Sequence, residues 1–259
     1  MILAAGLGTR LRPLTDATPK ALIDVGGVCM LERVARRLID AGADRLIVNV
    51  HHHAEQIERF IADRDGFGVE VAVSREAEAP LETGGGLLHA APLIRRDAPF
   101  FLHNVDIITG VALTEVYAAH QEAAAAAAPS GVAGGGVLAT LAVHERETRR
   151  FLLFDDRGLC GWENLPAGGR PGARVDARPA HGPVRPLAFA GIHVIEPALL
   201  DLLTERGAFT IITAYVRLAG AGHIIQGHDV TGRTWLEIGD PDRLERARAW
   251  AGTQTRENG

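Results

Sequence analysis

Short apolar runs alternate with longer amphipathic segments along most of the chain. Runs of strand length separated by segments of helix length are typical of α/β proteins, in which helices cover a sheet. The apolar runs predict strands over residues 1–4, 45–50, 68–73, 100–106, 137–143, 151–154, 187–195, 223–226 and 234–238. The amphipathic segments predict helices over residues 30–41, 54–63, 84–94, 113–128, 197–206, 211–221 and 243–250.

Three segments depart from this alternation. The first apolar run is shorter than the roughly five residues of a usual buried strand, so we expect the natural chain to start before Met1. Residues 165–186 are rich in Gly, Pro and Arg and predict a surface loop insertion without regular structure. Residues 251–259 predict a C-terminal tail. Residues 1–250 are therefore expected to form a single domain.

The composition excludes several classes of protein. The chain has 259 residues, 47% of them apolar, and a formal charge of −5. Its two cysteines, Cys29 and Cys160, lie far apart without CxxC or Cys/His ligand spacing, and a chain of this length can bury its apolar surface without disulfides, so we expect neither a structural zinc site nor a disulfide scaffold. Basic residues are scattered, so we expect no nucleic acid partner. Because no apolar run approaches the roughly 20 residues that cross a bilayer, we expect a cytoplasmic protein without membrane contact.

The segment 3–20, LAAGLGTRLRPLTDATPK, carries the strongest chemical signal. Gly6 and Gly8 allow backbone N–H groups to approach an anion closely, as in a phosphate nest. Arg10 offers a planar set of donors for phosphate oxygens, and Lys20 offers a mobile point charge. The segment therefore predicts a polyphosphate-binding loop. A dinucleotide-binding dehydrogenase is the weaker alternative, because Leu11 stands where that fingerprint requires a third glycine.

The same segment resembles the signature of sugar-1-phosphate nucleotidyltransferases. Later segments resemble landmarks of that family in the same order: HHHAEQI, LETGGGL, FFLHNVDI, LAFAGIHVI and TWLEIGDPDRLERA. The length and LETGGG are most similar to N-acetylmuramate-1-phosphate uridylyltransferases, while the related mannose- and heptose-1-phosphate guanylyltransferases stay open. The resemblance implies a Rossmann-like fold with a mixed, mostly parallel sheet between helix layers. It implies that a nucleoside triphosphate and a sugar 1-phosphate react to give a nucleotide sugar and pyrophosphate.

The resemblance also implies roles for individual residues. Arg10 would hold the leaving pyrophosphate, Lys20 would offset charge at the α-phosphate, and Mg²⁺ would be bound by Asp106 and Glu237. The implied nucleotide-binding residues are Ala4, Ala5, Gly6, Gly8, Thr9, Arg10, Lys20, Glu82, Thr83, Gly84 and Asn104. The pair Ala4–Ala5 resembles that of pyrimidine-using members and favours UTP. The implied sugar contacts are Glu163, Asn164 and Gly191.

Two positions depart from the family pattern at the implied metal site. Val105 precedes Asp106 where the family usually has glycine, and a β-branched residue resists positive φ and fills space beside the nucleotide. Glu237 stands where the family has aspartate and is longer by one methylene. These departures motivate a second hypothesis, a nucleotide- or sugar-nucleotide-binding regulator that has lost turnover. The retained Arg10 and Lys20 argue against it, and the oligomeric state stays open.

Overall fold

The computed structural model describes residues 1–127, 136–169 and 171–257. The strands are β1 Ile2–Leu3, β2 Asp24–Val25, β3 Val28–Cys29, β4 Arg45–Val50, β5 Glu70–Arg75, β6 Phe100–Asn104, β7 Ile107–Thr109, β8 Val137–His144, β9 Arg150–Asp155, β10 Gly158–Asn164, β11 Ala173–Asp176, β12 Arg185–Ile195, β13 Ile224–Asp229 and β14 Trp235–Glu237. The α-helices are α1 Leu14–Ala17, α2 Met30–Asp40, α3 Ala54–Ala62, α4 Glu82–Ala90, α5 Leu113–Ala127, α6 Ile211–Gly220 and α7 Pro241–Glu257. None of these described helices is long and apolar enough to cross a membrane.

The chain forms two compact units, which are described separately. Unit 1 comprises Met1–Ile94, Leu102–Val111 and Arg233–Gly259, and unit 2 comprises Arg95–Phe101 and Ala112–Gly232. Two compact units can belong to one domain or to two, so the single domain expected over residues 1–250 stays a prediction.

Unit 1 is built on parallel strands in the order β6-β1-β4-β5. The β4 sequence RLIVNV is buried at five of its six residues, as expected for a strand covered on both faces. In α2 the apolar residues recur at helical spacing; Ile39 is half-buried and the other five are buried, namely Met30, Leu31, Val34, Ala35 and Leu38. Parallel strands end at one edge of their sheet, where α/β proteins bind ligands. The loop after β1 and the turn after β6 begin at this edge.

Unit 2 combines β8 to β13 with α5 and α6. Its strands follow the order β11-β10-β9-β12-β8-β13, in which only β8 and β13 pair in parallel. The apolar strand β8 is buried at every residue and forms the centre of this unit's core.

The predicted α/β class with a mixed sheet is confirmed, and its parallel pairs are concentrated in unit 1. Residues 165–186 are less irregular than predicted, because β11 forms there by antiparallel pairing with β10 and because β12 begins at Arg185. Residues 251–257 continue α7 instead of forming a tail. The predicted helix over 197–206 is a 3₁₀ turn that ends at Leu202. Residue 128, the end of the predicted helix over 113–128, lies outside the described residues, as do residues 170, 258 and 259.

A buried ion pair fixes the segment that follows β11. The Asp155 side chain is completely buried and accepts hydrogen bonds from Arg178 at 2.6 and 2.7 Å. It also accepts from the backbone N–H groups of His181 at 2.6 Å and Arg157 at 2.9 Å. The bonds from Arg178 hold the pKa of Asp155 well below its ordinary value. A carboxylate with a depressed pKa stabilises the folded state above its unfolded pKa, which is about 4.

We expect Asp155→Asn to lower the free energy of unfolding by roughly 3 kcal/mol at pH 7, because Arg178 stays largely buried without its counter-charge. Urea denaturation measures the loss, and the matched control is Asp156→Asn, which alters the neighbouring exposed carboxylate. The difference from the unchanged protein should shrink as the pH falls below about 4, because Asp155 then becomes protonated in the unfolded state while it stays ionised in the folded state until its depressed pKa is reached. Equal losses in the two variants would contradict this account.

Candidate active site

The loop after β1 presents a row of backbone donors. Ala4 and Ala5 are buried, whereas Gly6 is exposed and has no atom within 4 Å of the position that a Cβ would take. Gly8 has a φ of +63° and precedes the 3₁₀ turn Thr9–Leu11. Within the described part of the chain, the N–H groups of Gly6, Leu7 and Gly8 have no hydrogen-bond partner. Consecutive free N–H groups in such a loop can bind an anion.

Gly8 also brings this loop against the segment that carries Lys20. A Cβ on Gly8 would lie 2.8 Å from Thr15 Cγ2 and 3.3 Å from Lys20 Cβ. The buried Thr15 donates a hydrogen bond of 2.9 Å from its hydroxyl to the Gly8 carbonyl. Glycine is therefore required at position 8 both for its positive φ and for its lack of a side chain.

Two cationic side chains at the loop have different surroundings. Lys20 Nζ lies 2.5 Å from Asp106 Oδ2, and the two side chains are 11% and 24% exposed. Arg10 is exposed, and its guanidinium has neither an ion-pair nor a hydrogen-bond partner among the described residues. Arg10 is therefore free to bind an anion, whereas the charge of Lys20 is balanced by Asp106 as long as this ion pair is intact.

Of the two predicted metal-binding carboxylates, Glu237 ends β14 and Asp106 lies in the turn before β7, the strand that pairs with β14. Asp106 is in the turn between β6 and β7, and its carbonyl accepts a hydrogen bond of 3.1 Å from the N–H of Ile238. Strands β7 and β14 pair antiparallel with Glu237 opposite Ile107, the residue after Asp106. No group of three or more His, Cys, Asp or Glu in the described ranges could hold a metal alone. Two carboxylates fit Mg²⁺ that takes its other ligands from water and substrate phosphates.

A third cation, missed by the sequence reasoning, lies beside Glu237. Arg243, in the first turn of α7, forms ion pairs with Glu237 and with Asp240, the latter at 3.1 Å. Burial lowers the pKa of the Arg243 guanidinium and the positive charge of Arg10 lowers it further, although arginine remains protonated. A Cβ on Gly239 would lie 3.0 Å from Arg10 Nη2 and 3.5 Å from Arg243 Nη1.

Buried hydrogen bonds hold the start of the loop. Asn49 Oδ1 accepts from the Ala4 N–H at 2.7 Å, and Asn49 Nδ2 donates to Glu76 Oε1 at 2.6 Å. Glu76, only 2% exposed, also accepts from the Leu81 N–H at 2.8 Å. This chain of hydrogen bonds, the buried relay Ala4–Asn49–Glu76–Leu81, links β1, β4, the end of β5 and the segment before α4. The polar Asn49 inside the apolar run RLIVNV was its only sequence signal.

The predicted nucleotide contacts at LETGGG lie at the start of α4. The helix begins at Glu82, not at Gly84 as predicted, and the three glycines belong to its first turns. Glu82 itself has a φ of +59°, outside the right-handed helical region. Glu82 is exposed, Thr83 is half-buried and Gly84 is buried. The first N–H groups of a helix lack partners within the helix, which suits an anion or a polar ligand.

Asn104 ends β6 beside Leu3, and its half-buried side chain has one unsatisfied atom. Asn104 Oδ1 is buried and has no hydrogen-bond partner among the described residues. The Nδ1–H of His103 donates to the Asn104 carbonyl at 2.7 Å, and burial lowers the pKa of His103 to about 4. His103 is thus neutral at pH 7, and the free Asn104 oxygen remains available to a donor group.

The three predicted sugar contacts belong to unit 2. Glu163 and Asn164 end β10, and Glu163 pairs with Arg174 at 3.3 Å. Gly191 has a φ of +81° within β12, where the pairing with β8 is irregular between Phe189 and His193. Their assignment to the sugar stays a prediction.

Comparison with known proteins identifies the family. The family model described as nucleotidyl transferase matches residues 1–135. The chain belongs to the nucleotidyl transferase family. It is 34% identical to the N-acetylmuramate alpha-1-phosphate uridylyltransferase of Caulobacter vibrioides, over 96% of this chain and 95% of the relative. It is 31% identical to the enzyme of the same name from Neisseria meningitidis serogroup B, over 97% of each chain.

Solved structures share the fold. The inositol-1-phosphate CTP transferase from T. maritima matches with a TM-score of 0.67 and 16% identity, over 96% of this chain and 94% of that chain. The chain is a sugar-1-phosphate nucleotidyltransferase, so the implied class of reaction is confirmed.

The buried relay generates a prediction about Gly86 of α4. A Cβ there would lie 2.6 Å from Glu76 Oε1 and 2.7 Å from Asn49 Nδ2. We expect Gly86→Ala to lower the free energy of unfolding by roughly 1–3 kcal/mol in urea denaturation, because the relay must be displaced. Gly252→Ala is the control, since this glycine of α7 has open space and should gain about 0.5–1 kcal/mol from helix propensity. Stabilisation by both substitutions would show that the relay tolerates displacement.

Proposed function

We propose that this nucleotidyltransferase transfers a uridylyl group from UTP to an N-acetylated amino-sugar 1-phosphate, with N-acetylmuramate 1-phosphate as the first candidate. The observation that carries the proposal is the similarity to uridylyltransferases for N-acetylmuramate alpha-1-phosphate over nearly the whole chain. The glycine loop with Arg10 and Lys20 supports it, because that arrangement suits a triphosphate. We place the reaction in the cytoplasm.

The reaction needs positioning and charge stabilisation more than covalent help from the protein. A phosphate oxygen of the sugar 1-phosphate forms a bond to the α-phosphorus of UTP, and the bond from this phosphorus to the pyrophosphate oxygen breaks. The N–H groups of Gly6 and Gly8, together with Arg10, bind the departing pyrophosphate. The ammonium of Lys20 moves from Asp106 to the α-phosphate and offsets the charge that develops there.

We propose Asp106 and Glu237 as the carboxylates that hold Mg²⁺ with the substrate phosphates. The fit rests on their donor chemistry and partial exposure, because both carboxylates are 22–24% exposed and each is countered by a cation that an incoming phosphate can attract. When bound, Mg²⁺ supplies Lewis-acid polarisation of the phosphate oxygens.

The remaining contacts are proposed because these residues match positions of the family pattern. Ala4, Ala5 and Thr9 line the loop, while Glu82, Thr83 and Gly84 offer donors and space for the base and ribose. Asn104 Oδ1 can accept a hydrogen bond from a ribose hydroxyl, since it is buried without a partner among the described residues. Glu163, Asn164 and Gly191 are proposed for the sugar.

The substrate assignment is tested by measuring pyrophosphate release with Mg²⁺ for four nucleoside triphosphates against N-acetylmuramate, N-acetylglucosamine, mannose and heptose 1-phosphates. We expect UTP with N-acetylmuramate 1-phosphate to react with the highest kcat/KM. A strong preference for GTP would transfer the chain to the guanylyltransferases and leave the reaction class intact. Binding without release for every pair would favour the regulator that has lost turnover.

Lys20 provides a test of the catalytic arrangement. We expect Lys20→Ala to lower kcat by about 10²–10³-fold, comparable to removing one donor from an oxyanion site, with circular dichroism unchanged. Lys20 is the sole lysine in the 259-residue sequence, so an amine-selective reagent offers an independent readout. Saturating UTP should protect Lys20 from the reagent, as followed by peptide mass spectrometry. An unchanged rate in Lys20→Ala would remove this residue from the mechanism.

A further inference from the structure

Arg243 lies close to a second guanidinium that has the same charge. Arg10 Nη2 and Arg243 Nη1 both lie within 3.5 Å of one point, the position that a Cβ on Gly239 would occupy. Two guanidinium groups repel each other at such a separation unless an anion lies near both. Because residue 239 is glycine, no Cβ occupies this position beside both groups.

The negative charges near these arginines are unevenly shared. Glu237 and Asp240 both pair with Arg243, whereas Arg10 has no carboxylate partner among the described residues. Asp240 has a second task, since its Oδ1 accepts a hydrogen bond of 3.0 Å from the Arg243 backbone N–H at the start of α7. Glu237 has no such structural bond in the described part of the chain. Its ion pair with Arg243 can therefore be broken without disturbing the helix.

We infer that Arg243 is a second pyrophosphate-binding arginine, held by Glu237 until the polyphosphate arrives. The anion draws the Arg243 guanidinium toward Arg10, and the two planar groups bind its oxygens together. Glu237 loses its counter-charge in the same movement and becomes available to a divalent cation. The inference rests on the proposed triphosphate site, but it does not depend on the identity of the base or the sugar.

The exposure of Arg243 is consistent with this exchange. Its side chain is 35% exposed, and that of Glu237 is 22% exposed. An ion pair at this depth contributes little net stability, so its loss to a competing anion costs little. A wholly structural pair would be expected to be buried, like that of Asp155 and Arg178 in unit 2, whose side chains are 0% and 16% exposed.

The experiment measures binding of inorganic pyrophosphate by calorimetry in the presence of a chelator, without metal. We expect Arg243→Gln to raise the dissociation constant roughly tenfold, the effect of losing one charge-assisted contact. Arg243→Lys should give an intermediate value, because it keeps the charge but not the planar donors. The matched control is Arg248→Gln, on the same helix and paired with the exposed Glu245 alone among the described residues, which should bind as the unchanged protein does.

A second measurement separates this exchange from a structural role. Titration with Mn²⁺ alone, followed by electron paramagnetic resonance, should show tighter binding in Arg243→Gln, because Glu237 has lost its competing cation. Opposite changes for pyrophosphate and Mn²⁺ support the inference, whereas a helix-stabilising role would weaken both or neither. If Arg10→Gln weakens pyrophosphate binding but Arg243→Gln does not, the inference is wrong and the proposed site survives. If neither substitution has an effect, the proposed phosphate site itself fails.

Discussion

The buried carboxylate of Glu76 is the interaction on which the candidate site depends. A carboxyl group at 2% exposure is costly unless its oxygens are hydrogen-bonded, and here the Asn49 amide and the Leu81 N–H donate to them. Asn49 in turn accepts from the Ala4 N–H, so the same relay sets where β1 stops and where the phosphate loop begins. Gly86 leaves the space that the relay needs. The network therefore positions the loop without contacting the substrate itself.

Two of the three cations at the candidate site have carboxylate partners in the structure. Lys20 is paired with Asp106, and Arg243 with Glu237 and Asp240, while Arg10 stands without a carboxylate partner among the described residues. Ion pairs with partial exposure can exchange at low cost, because water and incoming phosphates replace the lost contacts. Such a site tolerates the absence of substrate without leaving several unpaired charges close together. When a cation of such a pair turns to a phosphate, its carboxylate partner becomes available to another ligand at the same time.

The choice of lysine at position 20 is informative in this chain. Of its 27 Lys and Arg residues, only this one is lysine. All other Lys or Arg positions are arginine, which can donate two parallel hydrogen bonds to a carboxylate, as Arg178 does to Asp155. An ammonium is a compact charge on a flexible stem, which can leave one oxygen for another without losing a fixed donor geometry. Position 20 is where the proposed mechanism requires a charge that moves.

Sequence periodicity was sufficient for the elements that bury an apolar face locally. The bounds of β4 agree with the prediction, and α2 agrees to within one residue, because both carry regular apolar spacing. Strands β10 and β11 were missed because GLCGWEN and ARVD lack such spacing. They form by antiparallel pairing with each other, and β10 also pairs with β9. In the site, the glycine loop and Lys20 were predicted from their residue types and Asp106 from the resemblance to the family, and the structure brings Lys20 and Asp106 together. Glu76 and Arg243 were missed because their roles arise from partners distant in sequence.

The two departures from the family pattern have different consequences. Val105 is 5% exposed, is not among the residues with positive φ, and its N–H donates to the Leu3 carbonyl at 3.1 Å. It continues the strand pairing, so the loss of glycine there does not distort the turn that carries Asp106. Glu237 differs, because its longer arm is paired with an arginine that also borders the proposed pyrophosphate position. The extra methylene and Arg243 therefore belong to one arrangement, in which the carboxylate and the arginine are released together when polyphosphate binds.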